Sequence, residues 1–150
     1  MKTFYCFLAL LLTPGICTAW AKASSEQKRT VVVFSEDDFR QGQPHLTKDL
    51  TLARGQTLVV QLGSNPTTGF RWTEQVSNSN PEVLKQAKHN YSTSGSKGKD
   101  GEPMAGAGGT EEWTFEALKK GEATLSFSYD RPWQGGEKGT WTLKIKATVQ

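Results

Sequence analysis

The side chains that most often perform covalent catalysis are scarce in this sequence of 150 residues. Its cysteines are Cys6 and Cys17, and its histidines, His45 and His89, stand far apart. Both cysteines lie in an N-terminal segment that we expect to be cleaved off, which would leave no thiol nucleophile and no cysteine-based zinc site. No catalytic triad or carboxylate pair is recognisable either. The sequence therefore predicts a protein that is not an enzyme and needs no metal ion or other cofactor.

Unusual residues are instead concentrated in three segments that contain glycine or proline. Taken singly, each segment could be a structural turn, because Gly and Pro supply turn geometry in any β protein. Trp133, in the third segment, is harder to explain in this way. It is either a plug in the core or an exposed anchor of the kind found at binding hot spots. The segments are Asn65-Pro66-Thr67-Thr68-Gly69 followed by Phe70, then Gly106-Ala107-Gly108-Gly109, and then Arg131-Pro132-Trp133.

An alternation of apolar and polar residues predicts the elements that position these segments. Trp113, Phe115 and Ala117 alternate with polar residues, and the same period of two returns in the strands that follow. This pattern is typical of antiparallel strands with one solvated face, and we find no convincing amphipathic helix. Residues 82–89 could also form a helical turn, but we predict that they belong to a strand. The predicted strands are 30–34, 47–52, 56–62, 70–76, 82–91, 110–118, 121–129 and 139–149.

These strands predict an all-β fold, namely an immunoglobulin-like antiparallel β-sandwich of about eight strands, with a closed barrel as the alternative. Because each antiparallel strand reverses the chain, successive connections alternate between the two ends of the sandwich. Loops 63–69, 92–109 and 130–138 therefore fall at the same end, where loops on a rigid sandwich can form a binding edge. A loop as long as 92–109 is usually functional or disordered, and we expect most of residues 92–104 to be mobile.

The first 21 residues have the features of a secretory signal peptide. Lys2 precedes an apolar run, residues 4–12, that is too short to span a bilayer. Ala19-Trp20-Ala21 offers the small residues of a cleavage site. We therefore predict a signal peptide over 1–21, a flexible polar lead over 22–29 and one domain over 30–150. An uncleaved anchor is the alternative.

The predicted signal implies export to the periplasm or the cell exterior, with no membrane association after cleavage. The net charge is only +3, and no run of Lys or Arg is longer than two residues. A charge this small and this dispersed argues against nucleic acid as a partner. A monomer is the default expectation.

In their order and spacing, the three segments resemble the motifs of the chagasin family of cysteine peptidase inhibitors. Asn65 to Phe70, Gly106 to Gly109 and Arg131 to Trp133 carry the resemblance, and the strand order is similar over roughly residues 30–149. The resemblance implies an immunoglobulin-like sandwich that reversibly inhibits papain-like cysteine peptidases. Family members place these three loops along the active-site cleft of the peptidase.

The resemblance also implies a role for each segment. Thr67 would lie against the catalytic Cys–His pair of the peptidase, and Thr68 would form a hydrogen bond beside it. Gly106 to Gly109 would run along one side of the cleft, mostly through backbone contacts. The third segment would grip the other side with Arg131, Pro132 and Trp133, and the Trp133 indole would pack on an aromatic wall of the peptidase.

A second functional hypothesis is an exported module that binds a glycan or another small ligand. Such a module would use Trp72, Trp113, Trp133 and Trp141 as stacking platforms. The alternation places Trp113 and Trp141 on core-facing positions, which leaves Trp133 nearly alone and weakens this hypothesis. The acidic run Glu36-Asp37-Asp38 is predicted to be a solvated turn, because it lacks the ligand spacing of a calcium site.

Overall fold

A computed structural model describes residues 28–93 and 108–150 of the protein. The predicted signal peptide, most of the polar lead, most of loop 92–109, and Gly106 and Ala107 lie outside the described residues. The elements are β1 (Arg29–Phe34), α1 (Glu36–Arg40), β2 (His45–Leu52), β3 (Thr57–Ser64), a 3-10 helix (Pro66–Thr68), β4 (Arg71–Trp72), β5 (Ser77–Asn78), β6 (Leu84–Thr93), β7 (Gly109–Ala117), β8 (Gly121–Asp130) and β9 (Trp141–Val149).

The strands form two sheets, which confirms the predicted immunoglobulin-like sandwich. One sheet has the order β1-β3-β7-β6, and the other has the order β2-β9-β8-β4, with β5 also paired to β8. The expectation that all strands pair antiparallel is wrong at two edges, because β1 is parallel to β3 and β2 is parallel to β9. The chain passes from one sheet to the other between β1 and β2 and returns at β3, so β1 and β3 run in the same direction. A period-two pattern identifies a strand but does not encode the direction of its neighbour.

The core lies between the sheets and is built from the inward positions of the alternating strands. Trp113, Phe115, Leu125 and Phe127 are all buried, as the alternation predicts. Trp141 is half-buried and stacks on Tyr129, with 4.7 Å between the ring centroids. Aromatic pairs of this kind make the core stiff, because each ring is held by several neighbours. The stiffness matters at the end of the sandwich where the loops of interest emerge.

The acidic run Glu36-Asp37-Asp38 was predicted to be a solvated turn; Asp37 and Asp38 are exposed, but the run forms the first turn of helix α1. Asp38 accepts hydrogen bonds from the Ser35 N–H and hydroxyl, at 2.6 and 2.7 Å, and these bonds lower the pKa of Asp38. Phe39 is buried against Trp72, with 5.2 Å between the ring centroids. A helix of five residues with one buried side chain is too short to produce a recognisable helical period.

The predicted strand 70–76 is interrupted, whereas the strand predicted at 82–91 is present as β6. Only Arg71 and Trp72 pair with β8 in this region before the chain bends, and pairing resumes at Ser77. Side chains satisfy the backbone at the bend: the Glu74 carbonyl accepts hydrogen bonds from Trp113 Nε1 and Gln86 Nε2. Such side-chain partners have no period along the sequence, so the alternation could not reveal the break.

Candidate functional site

The described parts of the three predicted segments meet at one end of the sandwich. A Cβ atom placed on Gly108 would lie 3.4 Å from the Ser64 carbonyl oxygen and 4.0 Å from the Asn65 Cβ. A Cβ atom placed on Gly69 would lie 2.6 Å from Cη2 of Trp133. The first segment therefore lies between the other two. We call residues 65–69, 108–109 and 131–133 together the crest.

The first segment is a single 3-10 turn whose shape is fixed by its own side chains. Asn65 Oδ1 accepts hydrogen bonds from the backbone N–H and the hydroxyl of Thr67, at 3.3 and 2.6 Å. The Thr68 hydroxyl donates to the Asn65 carbonyl at 2.7 Å. Pro66 occupies the start of the turn, and Gly69 ends it with φ at +82°, a conformation that favours glycine. Thr67 and Thr68 are exposed at the tip.

Tyr129, from the inner face of β8, holds the first segment from below. Its phenol oxygen accepts a hydrogen bond from the Asn65 N–H at 3.0 Å, and its ring stacks on Phe70, with centroids 5.4 Å apart. Burial raises the pKa of the Tyr129 phenol above its ordinary value of 10.0, so the group stays neutral at physiological pH. Phe70 is thus the half-buried base of the first segment and not part of its exposed tip.

The third segment is packed against the first through Arg131 and Trp133. The Arg131 guanidinium lies over the Phe70 ring at 4.4 Å and near the Trp133 ring at 6.0 Å, both measured to the ring centroid. The Trp133 carbonyl accepts a hydrogen bond from the Gly136 N–H at 3.1 Å, which closes a tight turn. The Trp133 side chain is 52 % exposed, and Pro132 beside it is also exposed. Trp133 is therefore not a core plug.

The second segment contributes Gly108 and Gly109 to the described part of the crest. Gly109 begins β7 and pairs with Ser64 on one side and Thr93 on the other. A Cβ atom on Gly109 would lie 2.5 Å from the Ser92 carbonyl oxygen, so only glycine fits between these strands. The glycine at this position is thus explained by packing within the sheet, and the backbone contact with a peptidase that the resemblance implies stays a prediction.

Beneath the crest lies a buried carboxylate that we did not predict as a functional residue. Glu111 lies on the inner face of β7, where its Oε1 accepts hydrogen bonds from the Ser64 hydroxyl and the Trp72 N–H. Its Oε2 is 3.0 Å from Nε2 of His89, whose ring stacks on Trp113. The sequence did indicate its burial, because Glu111 stands two positions before the core residue Trp113 and therefore shares its face of the strand. An acidic residue at an inward position is unusual and needs partners.

The remaining tryptophans in the described ranges do not support a ligand-stacking surface. Trp72 and Trp113 are fully buried, and Trp141 packs against the core. Within the same ranges, no group of three or more His, Cys, Asp or Glu side chains is arranged to hold a metal ion. No helix in the described part of the chain has the length and apolar character needed to cross a membrane.

Comparison with known protein families identifies the relatives of this chain. Residues 51–145, more than half of the sequence, match the family described as "Chagasin family peptidase inhibitor I42". The chain belongs to the chagasin family. It is 34 % identical to the chagasin of Trypanosoma cruzi over 107 residues, which covers 69 % of this chain and 92 % of the relative. The predicted family membership is therefore confirmed, and the family consists of protein inhibitors, not enzymes.

Two solved structures with low sequence identity share the fold. The cysteine protease inhibitor EhICP2 from Entamoeba histolytica has a TM-score of 0.59 at 19 % identity, over 81 % of this chain and 97 % of that one. PbICP-C, solved in complex with falcipain-2, has a TM-score of 0.57 at 18 % identity, over 82 % of this chain and 99 % of that one. Both similarities agree with the sandwich described above.

Proposed function

We propose that this protein inhibits papain-like cysteine peptidases by inserting the crest into their active-site cleft, reversibly and without a covalent bond. The observation that supports the proposal most strongly is the convergence of the crest, with Gly69 beneath the Trp133 ring and Gly108 beside Asn65. The described parts of three segments that are distant in sequence lie side by side, and the chain belongs to a family of peptidase inhibitors.

The first segment would fill the centre of the cleft without being cleaved. A substrate must present an extended and deformable peptide to the catalytic thiolate. The turn at Pro66–Thr68 is instead curled, and its tip hydroxyls already bind Asn65. Thr67 would face the catalytic Cys–His pair, with Thr68 beside it. Because the turn is ordered before binding, little conformational entropy is lost in the complex.

The flanking segments would hold the peptidase on either side of this turn. Trp133 offers a large exposed indole on a closed loop, which is the usual character of an interface hot spot. Pro132 adds a rigid apolar contact. The Arg131 guanidinium packs against the rings of Phe70 and Trp133. On the other side, Gly106 to Gly109 would contribute backbone contacts, since these residues carry little or no side chain.

Titration of active papain with the protein tests this proposal. We expect a stoichiometric loss of activity that is regained on dilution, because no covalent bond forms. Trypsin, a serine peptidase, is the control and should keep its full activity. Papain activity that is undiminished at a large excess of the protein would refute the proposal.

Alkylation of the papain thiol gives a second test, which concerns the location of binding. If the crest occupies the cleft, iodoacetamide should label the catalytic cysteine much more slowly in the complex than in free papain. Labelling at the same rate in a saturated complex would mean that the protein binds elsewhere on the peptidase.

We also propose that the protein is exported and acts as a monomer in the periplasm or outside the cell. The proposal of export rests on the signal-like features of residues 1–21, with Lys2, the apolar run and Ala19-Trp20-Ala21, and a monomer is the default expectation. Intact-mass analysis of the secreted protein should give a chain that begins at Lys22. A secreted chain that still carries residues 1–21 would contradict the predicted cleavage.

A further inference from the structure

Glu111 lies beneath the crest and binds the residues that flank its first segment. Its side chain is only 5 % exposed. Oε1 accepts hydrogen bonds from the Ser64 hydroxyl at 2.8 Å and from the Trp72 N–H at 3.1 Å. Oε2 lies 3.0 Å from Nε2 of His89. One buried carboxylate therefore joins strands β3, β4, β6 and β7 at the end of the sandwich that carries the crest.

The partners of Glu111 are the residues that bracket the first segment. Ser64 immediately precedes Asn65, and Trp72 follows Phe70 by two residues. The Trp72 indole N–H also donates to the Gly63 carbonyl at 2.9 Å, which ties the two ends of the segment to each other. Glu111 itself follows the second segment by two residues in β7. Its position thus fixes the spacing between the first and the second segments.

We propose that Glu111 is a positioning residue for inhibition, which acts by holding the first and second segments in register and does not contact the peptidase. This inference rests on the proposed function. A buried carboxylate is costly unless its hydrogen bonds are made, so the arrangement of its donors is strongly constrained. Removal of the carboxylate leaves the Trp72 N–H without its acceptor and removes the acceptor of the Ser64 hydroxyl on β7.

Gln56 provides a matched control at the opposite end of the sandwich. It is also a buried polar residue, with 6 % of its surface exposed. Its Oε1 accepts a hydrogen bond from the Ala53 N–H at 2.8 Å, and its Nε2 donates to the Thr30 hydroxyl. Replacement of Gln56 by Ala therefore breaks a similar buried network, but one that has no connection with the crest.

The test compares Glu111→Ala, Glu111→Gln and Gln56→Ala by their inhibition constants for papain and by their melting temperatures. We expect both Ala variants to melt at lower temperature, and only Glu111→Ala to inhibit papain more weakly, by about tenfold or more. Glu111→Gln keeps an acceptor oxygen for Ser64 and Trp72 and should restore most of the inhibition. Wild-type inhibition by Glu111→Ala, or an equal loss in Gln56→Ala, would overturn the proposal.

Amide hydrogen exchange at Thr67, Thr68 and Gly69 separates this inference from the proposed function. Glu111→Ala should accelerate exchange at these positions while Gln56→Ala should not, whether or not papain is the right target. Unchanged exchange in Glu111→Ala would refute the positioning role, whereas a wild-type protein that leaves papain active would refute only the proposed function. If Glu111→Ala does not fold, Ser64→Ala removes one partner alone and should show the same effects to a smaller degree.

Discussion

Replacement of Trp133 by Ala should weaken inhibition strongly and leave the fold almost unchanged. The indole is 52 % exposed in the free protein. About half of a tryptophan surface of roughly 250 Å² is therefore available to a partner, and at ~25 cal/mol per Å² its burial contributes ~3 kcal/mol. The inhibition constant for papain should rise by about a hundredfold.

The effect of this substitution on stability should be small, since the buried part of the indole rests on a surface loop above Gly69 and beside Arg131. We expect the melting temperature to fall by no more than about 4 °C. Leu118→Ala is the control, because Leu118 is 39 % exposed and lies in the turn between β7 and β8, at the opposite end of the sandwich. That variant should inhibit papain as the wild type does.

Two results would refute this reasoning about Trp133. An inhibition constant within twofold of the wild-type value would mean that the indole is not an anchor. A fall in melting temperature of more than about 10 °C would mean that the indole stabilises the fold itself, and the loss of inhibition could then not be assigned to a lost contact.

Three further predictions concern the stiffness and support of the first segment. Gly69→Ala should destabilise the protein by about 1–2 kcal/mol and displace the Trp133 ring, which weakens inhibition. Gly55→Ala is the control, because Gly55 has a similar φ of +80° but no atom within 4 Å of its added Cβ. An equal loss of inhibition in the two variants would contradict this account. Pro66→Gly should reduce inhibition more than Thr67→Ala does, because glycine makes the backbone of the turn flexible before binding. A larger inhibition constant for Thr67→Ala than for Pro66→Gly would argue against pre-organisation of the turn. The raised pKa of Tyr129 contributes stability that is present below pH 10.0, the ordinary pKa, and is lost as the pH rises through the higher folded-state value. Above pH 10.0, the melting temperature of Tyr129→Phe should therefore fall less than that of the wild type. If the melting temperatures of the two proteins fall equally as the pH rises, this role of Tyr129 is contradicted.

The sandwich could be predicted because its strands alternate so regularly. Core residues such as Trp113 and Phe127 stand at every second position, and the reversal of the chain at each strand places the three loops at one end. Helix α1 could not be predicted, because a single turn with one buried residue, Phe39, shows no helical period of apolar residues. The parallel pairing of β1 with β3 and of β2 with β9 depends on how the chain crosses between the sheets, which the local pattern does not specify.

The crest could be predicted only in part. Its exposed residues were recognisable from the resemblance, but their support depends on contacts between distant positions. Tyr129 binds Asn65 across 64 residues of sequence, and Glu111 binds Ser64 across 47. The alternation along β7 and β8 does place the Glu111 and Tyr129 side chains on the inner faces of the sheets. Which backbone groups they meet there is decided by the packing of the two sheets.

A crystal structure of the protein bound to papain would test the central claim most directly. We expect Thr67 within contact distance of the catalytic cysteine and histidine, Gly108 and Gly109 along one wall of the cleft, and the Trp133 indole buried on the other. A complex in which the turn between β7 and β8 enters the cleft, or in which Trp133 stays in solvent, would contradict the account.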